Sequence, residues 1–524
     1  MKGAGRESKL TPRRQLFLLG IPCYLFFLTY WDLLSKYRGD LPFWGDETFT
    51  VWIGQGSWGD FISGILSDVH PPFYFALNWI LQHVSKILFG EFLSGRELEY
   101  LGVILVALVL IELAMIRKYT ELNKSGIAYA TIFLVTSAHL LLFMPMMRYY
   151  GLAALFVILT IMDLFPDENY KHTVQTSHLR FAITLWLALA TSYLTVIVVP
   201  AYFVFITSME KSRKEKYLKS LIITLVCAIP LLILAIYQSR TVSASGIPGL
   251  LPFVKGFIAR SAFTIYSFFL GEFIQPWNFL LSLPALAALV FLLYLAYKVK
   301  TDRFGHLINL LMWISLPLGI LVLTFLGIGI EFSASRLTFL APFFLILLVQ
   351  APFQDGITIT HRKIGIIAII LLIILNLVST VNFLLGQNYI QSTYIIPWRQ
   401  ITQDIRDANL PDNIVLHDDD TIEYRLESQL DDVPRTINVH AINSENAFEL
   451  FEGRKWVTVV FSPSVFSKEE IEALIEENIG HEPIITEEKD YLVEDETSMR
   501  WKSMLLGREI SKVKKKLIVY NIQR

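Results

Sequence analysis

Long apolar runs alternate with short polar interruptions through the first three quarters of the chain, after which the pattern changes. The apolar runs cover roughly 15–34, 98–116, 127–143, 152–165, 181–206, 218–237, 279–297, 307–328, 337–349 and 364–385. A hydrocarbon core of about 30 Å is crossed by a helix of about 20 such residues, so the pattern predicts membrane spans. The run at 181–206 is long enough for two short helices turning near Ser192, which brings the count to about eleven.

The short loops between these runs are basic. Arg117-Lys118-Tyr119, Lys211-Ser212-Arg213-Lys214, the stretch from Lys298 to Arg303, and His361-Arg362-Lys363 all read as cytoplasmic by the positive-inside rule. The start of the chain, with Lys2, Arg6, Lys9, Arg13 and Arg14, reads as cytoplasmic too. No small-residue cleavage site follows the first apolar stretch, so it is expected to be an uncleaved span rather than a signal peptide. That orientation puts a first external loop at about 35–96 on the outer face, together with Arg148 and Arg336.

Two segments break the simple rhythm. Residues 73–89 are apolar but carry Asn78, Gln82, His83 and Lys86, and they follow Pro71-Pro72. They predict an amphipathic helix laid along the outer face rather than a span. Residues 239–277, with Lys255 and Arg260, predict an amphipathic lid on the same side.

From Thr393 onward the chain carries 26 acidic and 16 basic residues, a net of −10, while the remainder is +8. This shift predicts a membrane domain over 1–392 and a soluble domain over 393–524. Asn413 to His417 and Trp456 to Phe461 read as buried strands. Ser467-Lys468-Glu469-Glu470 reads as a capping box opening a helix. The fold class is therefore a polytopic α-helical membrane protein with a C-terminal extracytoplasmic α/β domain. No phosphate-binding glycine loop occurs in the tail, and Asp418-Asp419-Asp420 reads as a solvated turn or a cation-binding run. The composition, 54% hydrophobic and 18% charged, fits a membrane protein and does not point to nucleic acid as a partner. Cys23 and Cys227 are the only cysteines, both inside apolar runs, and suggest no pairing.

Candidate chemistry concentrates in the first external loop. The core of it is Trp44-Gly45-Asp46-Glu47-Thr48, with two adjacent carboxylates where the chain leaves the hydrocarbon. Such a pair suits a general base, because neighbouring charge tunes a carboxyl. Asp68-Val69-His70-Pro71-Pro72 then sets an acid and an imidazole two residues apart on a backbone stiffened by proline. His70 can donate to a phosphate, or share a divalent cation with Asp68 and Asp46. Met147-Arg148-Tyr149-Tyr150 and Glu331-Phe332-Ser333-Ala334-Ser335-Arg336 each place an arginine at the edge of an apolar run, where it either snorkels or meets an anion. Guanidinium forks match phosphate oxygens, so Arg148 and Arg336 are candidate phosphate ligands. Tyr149 and Tyr150 are candidates for stacking on a sugar or for anchoring at the interface.

With these residues in view, the chain resembles the GT-C class of membrane glycosyltransferases. The features that carry the resemblance are an N-terminal span, a loop with Asp46-Glu47, about 24 residues to His70-Pro71-Pro72-Phe73-Tyr74, then Phe89-Gly90, Arg96 and the Met147-Arg148-Tyr149 block. It is similar to the prokaryotic members related to glycosyltransferase family 39, which include protein O-mannosyltransferases and the aminoarabinose transferase of lipid A. The resemblance implies that Asp46 is the catalytic acidic residue of the first external loop, with Glu47 beside it, and the candidate ligands of lipid phosphate and sugar read from the residues themselves are Asp68, His70, Arg148, Tyr149 and Arg336. It implies a polyprenyl-phosphate sugar donor, a lipid, protein or glycan acceptor, and transfer with inversion. Many relatives have lysine immediately before the two prolines where this chain has His70. A second acidic residue found in several branches has no clear counterpart here, and a divalent cation is correspondingly an open expectation. The competing class is a transporter or lipid flippase. It would call for charged residues deep in several helices and matching halves, whereas the ionisable residues here cluster towards one face.

Overall fold

A computed structural model describes residues 45–93, 129–166 apart from 131, 135 and 145, 171–239, 250–298, 303–385 apart from 355, 390, 398–408, 413–417, 438–441, 456–461, 468–479, 484–492, 500–501 and 516–523. The expected spans at 15–34 and 98–116, and Asp418 to Asp420, lie outside the described residues. The chain divides into two compact units, Met1–Leu34 with Thr50–Phe383 and Ser35–Phe49 with Leu384–Arg524.

Helix α1 (Gly45–Gln55), whose residues from Thr50 onward belong to the first unit, leads to α2 (Trp58–Ser67), whose start is fixed by a capping box. The Ser57 hydroxyl accepts from the Asp60 N–H at 3.2 Å, and the Asp60 carboxylate accepts from the Ser57 N–H at 2.9 Å. Next, α3 (Pro72–Phe89) opens on a proline, whose missing N–H would have had no helical partner there. It ends at Gly90, in the left-handed conformation with φ 84°.

The helix α3 is polar on its inner side. Asn78, Gln82 and Ser85 are buried, while Ile80, Val84, Ile87 and Leu88 are exposed. Asn78 donates to the Thr50 carbonyl at 2.7 Å, and Gln82 bonds both the N–H and the carbonyl of Leu93. A side chain at Gly54 would overlap the Asn78 amide, so that glycine permits α1 and α3 to meet closely enough for this bond.

The bundle continues with α4 (Ala138–Phe143), α5 (Tyr150–Leu164) and α6 (Lys171–Thr191). At Ser192 the backbone becomes extended and then turns through a 3-10 segment, Tyr193–Val198, into α7 (Val199–Thr207). Helices α8 (Lys211–Cys227) and α9 (Ile229–Ser239) meet at a 40° bend. They are followed by α10 (Leu250–Leu270), α11 (Phe279–Lys298) and α12 (Arg303–Leu310), which passes through a π turn into α13 (Leu316–Phe325).

Among the described residues, four helices are long and apolar enough to cross a membrane: Leu250–Leu270, Phe279–Lys298, Arg303–Phe325 and Ile359–Phe383. The bent pair α8–α9 makes a fifth. Shorter apolar helices occur at Tyr150–Leu164, Tyr193–Thr207 and Thr338–Phe353. Leu250–Leu270 passes with the lowest mean hydropathy of the four, 1.2, because it carries Lys255 and Arg260.

After α13 the helical path is broken. A 3-10 turn at Ile330–Phe332 leads to the single turn α14 (Ser333–Arg336), Leu337 leaves helical geometry, and a second 3-10 turn at Thr338–Leu340 enters α15 (Ala341–Gln350). Irregular backbone among apolar side chains is tolerated only when its polar groups find partners. Here Arg260 donates to the Ile328 carbonyl, Ser333 to Ile330 at 2.6 Å and Ser335 to Phe332 at 3.0 Å. The last helix of the unit, α16 (Ile359–Leu384), sends Asn376, Ser379 and Asn382 to the carbonyls of Phe269, Leu270 and Phe273.

The second unit holds α17 (Trp398–Asp407), α18 (Lys468–Ile479) and a five-stranded sheet of order β2-β1-β3-β5-β4. The strands are β1 (Asn413–His417), β2 (Asn438–Ala441), β3 (Trp456–Phe461), β4 (Ile484–Leu492) and β5 (Lys516–Gln523). Strand β1, between β2 and β3, runs parallel to both, and β5 runs antiparallel to β3 and β4.

Candidate active site

The loop between α2 and α3 carries Asp68 and His70 into the interior of the first unit. His70 is 7% exposed, and its Nδ1 lies 3.1 and 3.0 Å from the two Asp68 carboxylate oxygens. With Nδ1–H donating to Asp68, Nε2 is left as the acceptor. It faces two guanidinium groups, Arg148 Nη2 at 3.4 Å and Arg336 Nη1 at 3.5 Å. Those arginines are 78 and 266 residues away in sequence.

Arg148 stands just before α5 and is 2% exposed. Its Nη1 is 3.5 Å from the Thr50 hydroxyl, and its guanidinium carbon lies 5.7 and 5.9 Å from the ring centres of Tyr149 and Phe75. The Tyr149 ring also rests on His70, at 4.9 Å. Arg336 closes α14, immediately before the break at Leu337. Five of the residues singled out from sequence, Asp68, His70, Arg148, Tyr149 and Arg336, thus converge.

The electrostatics follow from this packing. Burial pushes the Asp68 carboxyl up, but the His70 hydrogen bond and the charges of His70 and Arg148 outweigh it and hold the group below its ordinary value. Burial and the Arg148 charge push His70 down, and Arg336 adds to the fall. The Asp68 bond and charge oppose them without reversing the result. His70 is accordingly a neutral imidazole wedged between an anion and two cations.

Glu47 is 2% exposed. The Asp46 side chain lies outside the described residues, while its backbone belongs to the first turn of α1. Lys255 and Arg260 do not join the cluster through any bond found among the described residues, and Arg260 instead holds the Ile328 carbonyl.

Among the described residues, no group of three His, Cys, Asp or Glu side chains is arranged to hold a metal ion. A divalent cation on His70 would have to share the imidazole with two guanidinium groups, so the cluster around His70 fits an anion better than a cation.

Three contributors carried no signal in the spacing. Gln238, 1% exposed at the end of α9, donates to the carbonyls of Ile65 at 2.7 Å and His70 at 3.1 Å. Tyr193 donates its hydroxyl to the Gln238 amide oxygen at 3.0 Å, so two distant helices pin the loop that presents His70. Thr50 is the third. Each is a polar residue inside or beside an apolar run, which is the only mark the sequence gives.

The helical bundle, with four helices long and apolar enough to cross a membrane among the described residues and a fifth in the bent pair, is that of a polytopic membrane protein, and its fold is that of the ArnT structures with which it aligns. No protein-family model and no curated protein sequence matches it. In three dimensions it is similar to ArnT from Cupriavidus metallidurans. The crystal structure of that protein in the apo state aligns with a TM-score of 0.51 at 11% identity, over 95% of this chain and 97% of that one. The structure of the same ArnT bound to undecaprenyl phosphate aligns with a TM-score of 0.49 at 11% identity, over 96% and 97%.

Proposed function

We propose that this protein is a membrane glycosyltransferase that moves a sugar from a polyprenyl-phosphate carrier to an acceptor at the extracytoplasmic face. The observation that carries the reading is the convergence of Arg148 and Arg336 on His70, two cations drawn from remote parts of the chain into one buried cluster. Asp68 sets one negative charge beside these two cations, and a lipid phosphate is an anion that reaches a membrane protein from the side and matches guanidinium donors. ArnT in the second aligned structure carries undecaprenyl phosphate, the species that such a transfer releases.

In this mechanism Asp46 takes the proton of an acceptor hydroxyl or amine as that group attacks the anomeric carbon. The new bond forms on the face opposite the leaving phosphate, so configuration inverts. The anomeric carbon–oxygen bond breaks with its electron pair going to the phosphate oxygen. Arg148 and Arg336 stabilise the charge gathering there. His70 and Asp68 hold the guanidinium groups apart and aimed, and Tyr149 packs beside them. Glu47 raises the basicity of its neighbour by repulsion.

The sugar and the acceptor, whether lipid, protein or glycan, are set by contacts outside this cluster. In the proposed topology about eleven spans place the N-terminus in the cytoplasm and the acidic domain outside.

The test is transfer from a panel of undecaprenyl-phosphate sugars by purified protein. At least one donor should be consumed by the wild type. Asp46→Asn should lose transfer by about 100-fold or more while still binding undecaprenyl phosphate, the loss expected when a general base is removed. Full activity in Asp46→Asn removes that residue from the mechanism.

A further inference from the structure

A second buried polar chain lies beside the site and plays no part in the reaction above. Glu272, Ser267, His139 and Thr338 each have 0% exposure. Ser267 Oγ is 3.2 Å from Glu272 Oε1 and 2.9 Å from His139 Nδ1. His139 Nε2 is 3.1 Å from Thr338 Oγ1, which is in turn 2.7 Å from the carbonyl oxygen of Ser335, the residue before Arg336.

The two ring nitrogens of His139 join the ends of this chain, Nδ1 to the Ser267 hydroxyl and Nε2 to the Thr338 hydroxyl, while Ser267 donates to Glu272 and Thr338 to the Ser335 carbonyl. The His139 ring packs against Phe143 at 4.8 Å and Phe268 at 5.0 Å, which fixes its plane between the two hydroxyls.

The far end of this chain is the break in the helix. Leu337 leaves helical geometry at φ −103° and ψ 10°, and the Thr338 hydroxyl bonds the Ser335 carbonyl across that break. We propose that Glu272, Ser267, His139 and Thr338 form a hydrogen-bonded relay that fixes the turn at 333–338 and so positions Arg336. The inference rests on the reading of Arg336 as a lipid-phosphate ligand. These four are positioning residues: they touch the turn and not the phosphate.

The experiment measures the dissociation constant of undecaprenyl phosphate for the full chain in detergent, with melting temperature as the check on folding. Arg336→Ala should weaken binding at least about tenfold, as expected for a charge-assisted bond. Thr338→Val, which keeps the shape and removes the hydroxyl, should weaken it about fivefold, the equivalent of about 1 kcal/mol. The double variant should bind no worse than Arg336→Ala alone, because a residue acting only through Arg336 has nothing left to position. Glu272→Gln should stay within about twofold of wild type, since its amide oxygen still accepts from Ser267, while Glu272→Ala should match Thr338→Val.

Losses that multiply in the double variant, or a Glu272→Gln defect as large as that of Glu272→Ala, overturn the relay. Normal binding by Arg336→Ala overturns the phosphate reading and the relay with it. Should Thr338→Val fail to fold, the two Glu272 variants decide the question.

Discussion

Replacing Arg148 with alanine is the sharpest single perturbation of the proposed phosphate cluster. The side chain is 2% exposed, held between the rings of Tyr149 and Phe75, with His70 at 3.4 Å and Thr50 at 3.5 Å. A guanidinium bond to a phosphate oxygen in so desolvated a place is worth about 1.5–3 kcal/mol, which converts to a loss of about 10–150-fold in affinity. The assay is a titration of undecaprenyl phosphate into detergent-solubilised protein, read by intrinsic tryptophan fluorescence. Arg148→Lys should recover part of the loss, because it restores the charge without the two-pronged fork. Arg180→Ala is the control: that arginine pairs with Asp163 at 2.8 Å, away from the cluster, and its removal should leave the affinity unchanged. An Arg148→Ala protein that folds and binds undecaprenyl phosphate within about twofold of wild type would refute the reasoning, since the predicted loss starts at about tenfold.

Other outcomes follow from the same geometry. Gln238→Leu keeps the volume but removes the bonds to the Ile65 and His70 carbonyls and the partner of Tyr193, and should lower stability by about 1–3 kcal/mol in a denaturation measurement. An unchanged midpoint would mean that the loop is held by something else. The folded protein keeps His70 below its ordinary value, so the unfolded chain takes up that proton first. Stability is therefore complete above the ordinary histidine range and falls as pH drops through it, and Asp68, held down likewise, extends the loss at still lower pH. Melting temperature recorded against pH should show this fall, and His70→Gln should flatten its upper part.

The elements were legible in proportion to how local their signals are. Helix α3 could be read from Pro71-Pro72 and the polar set Asn78, Gln82 and His83, because period and start signal lie within 18 residues. Its polar side turned out to face inward, onto Thr50 and Leu93, since the apolar stripe of a helix beside lipid faces out. The break at Ser192 was visible as a run too long for one span. Strands β1 and β3 stood out as short apolar runs, whereas Glu487, Glu488, Lys489 and Asp490 disguise β4, and a lysine run leads into β5.

The candidate site divides in the same way. Asp68 and His70 declare themselves by spacing, and Arg148 and Arg336 by the cost of an arginine next to an apolar run. Their meeting is a tertiary fact that no local pattern encodes. Gln238 acts from 168 residues away on the loop that holds His70, with Tyr193 bonded to it, and neither gives a local sign of it. His139 was passed over because it lies within the apolar run at 127–143, where its partners Ser267 and Thr338 are 128 and 199 residues distant.

The most direct test of the central claim is an experimental structure of the protein in a lipid nanodisc with undecaprenyl phosphate. The account predicts the phosphate within hydrogen-bonding distance of both Arg148 and Arg336, with the polyprenyl chain leaving sideways between helices. A phosphate bound elsewhere, with the two arginines still closed on His70, would contradict it.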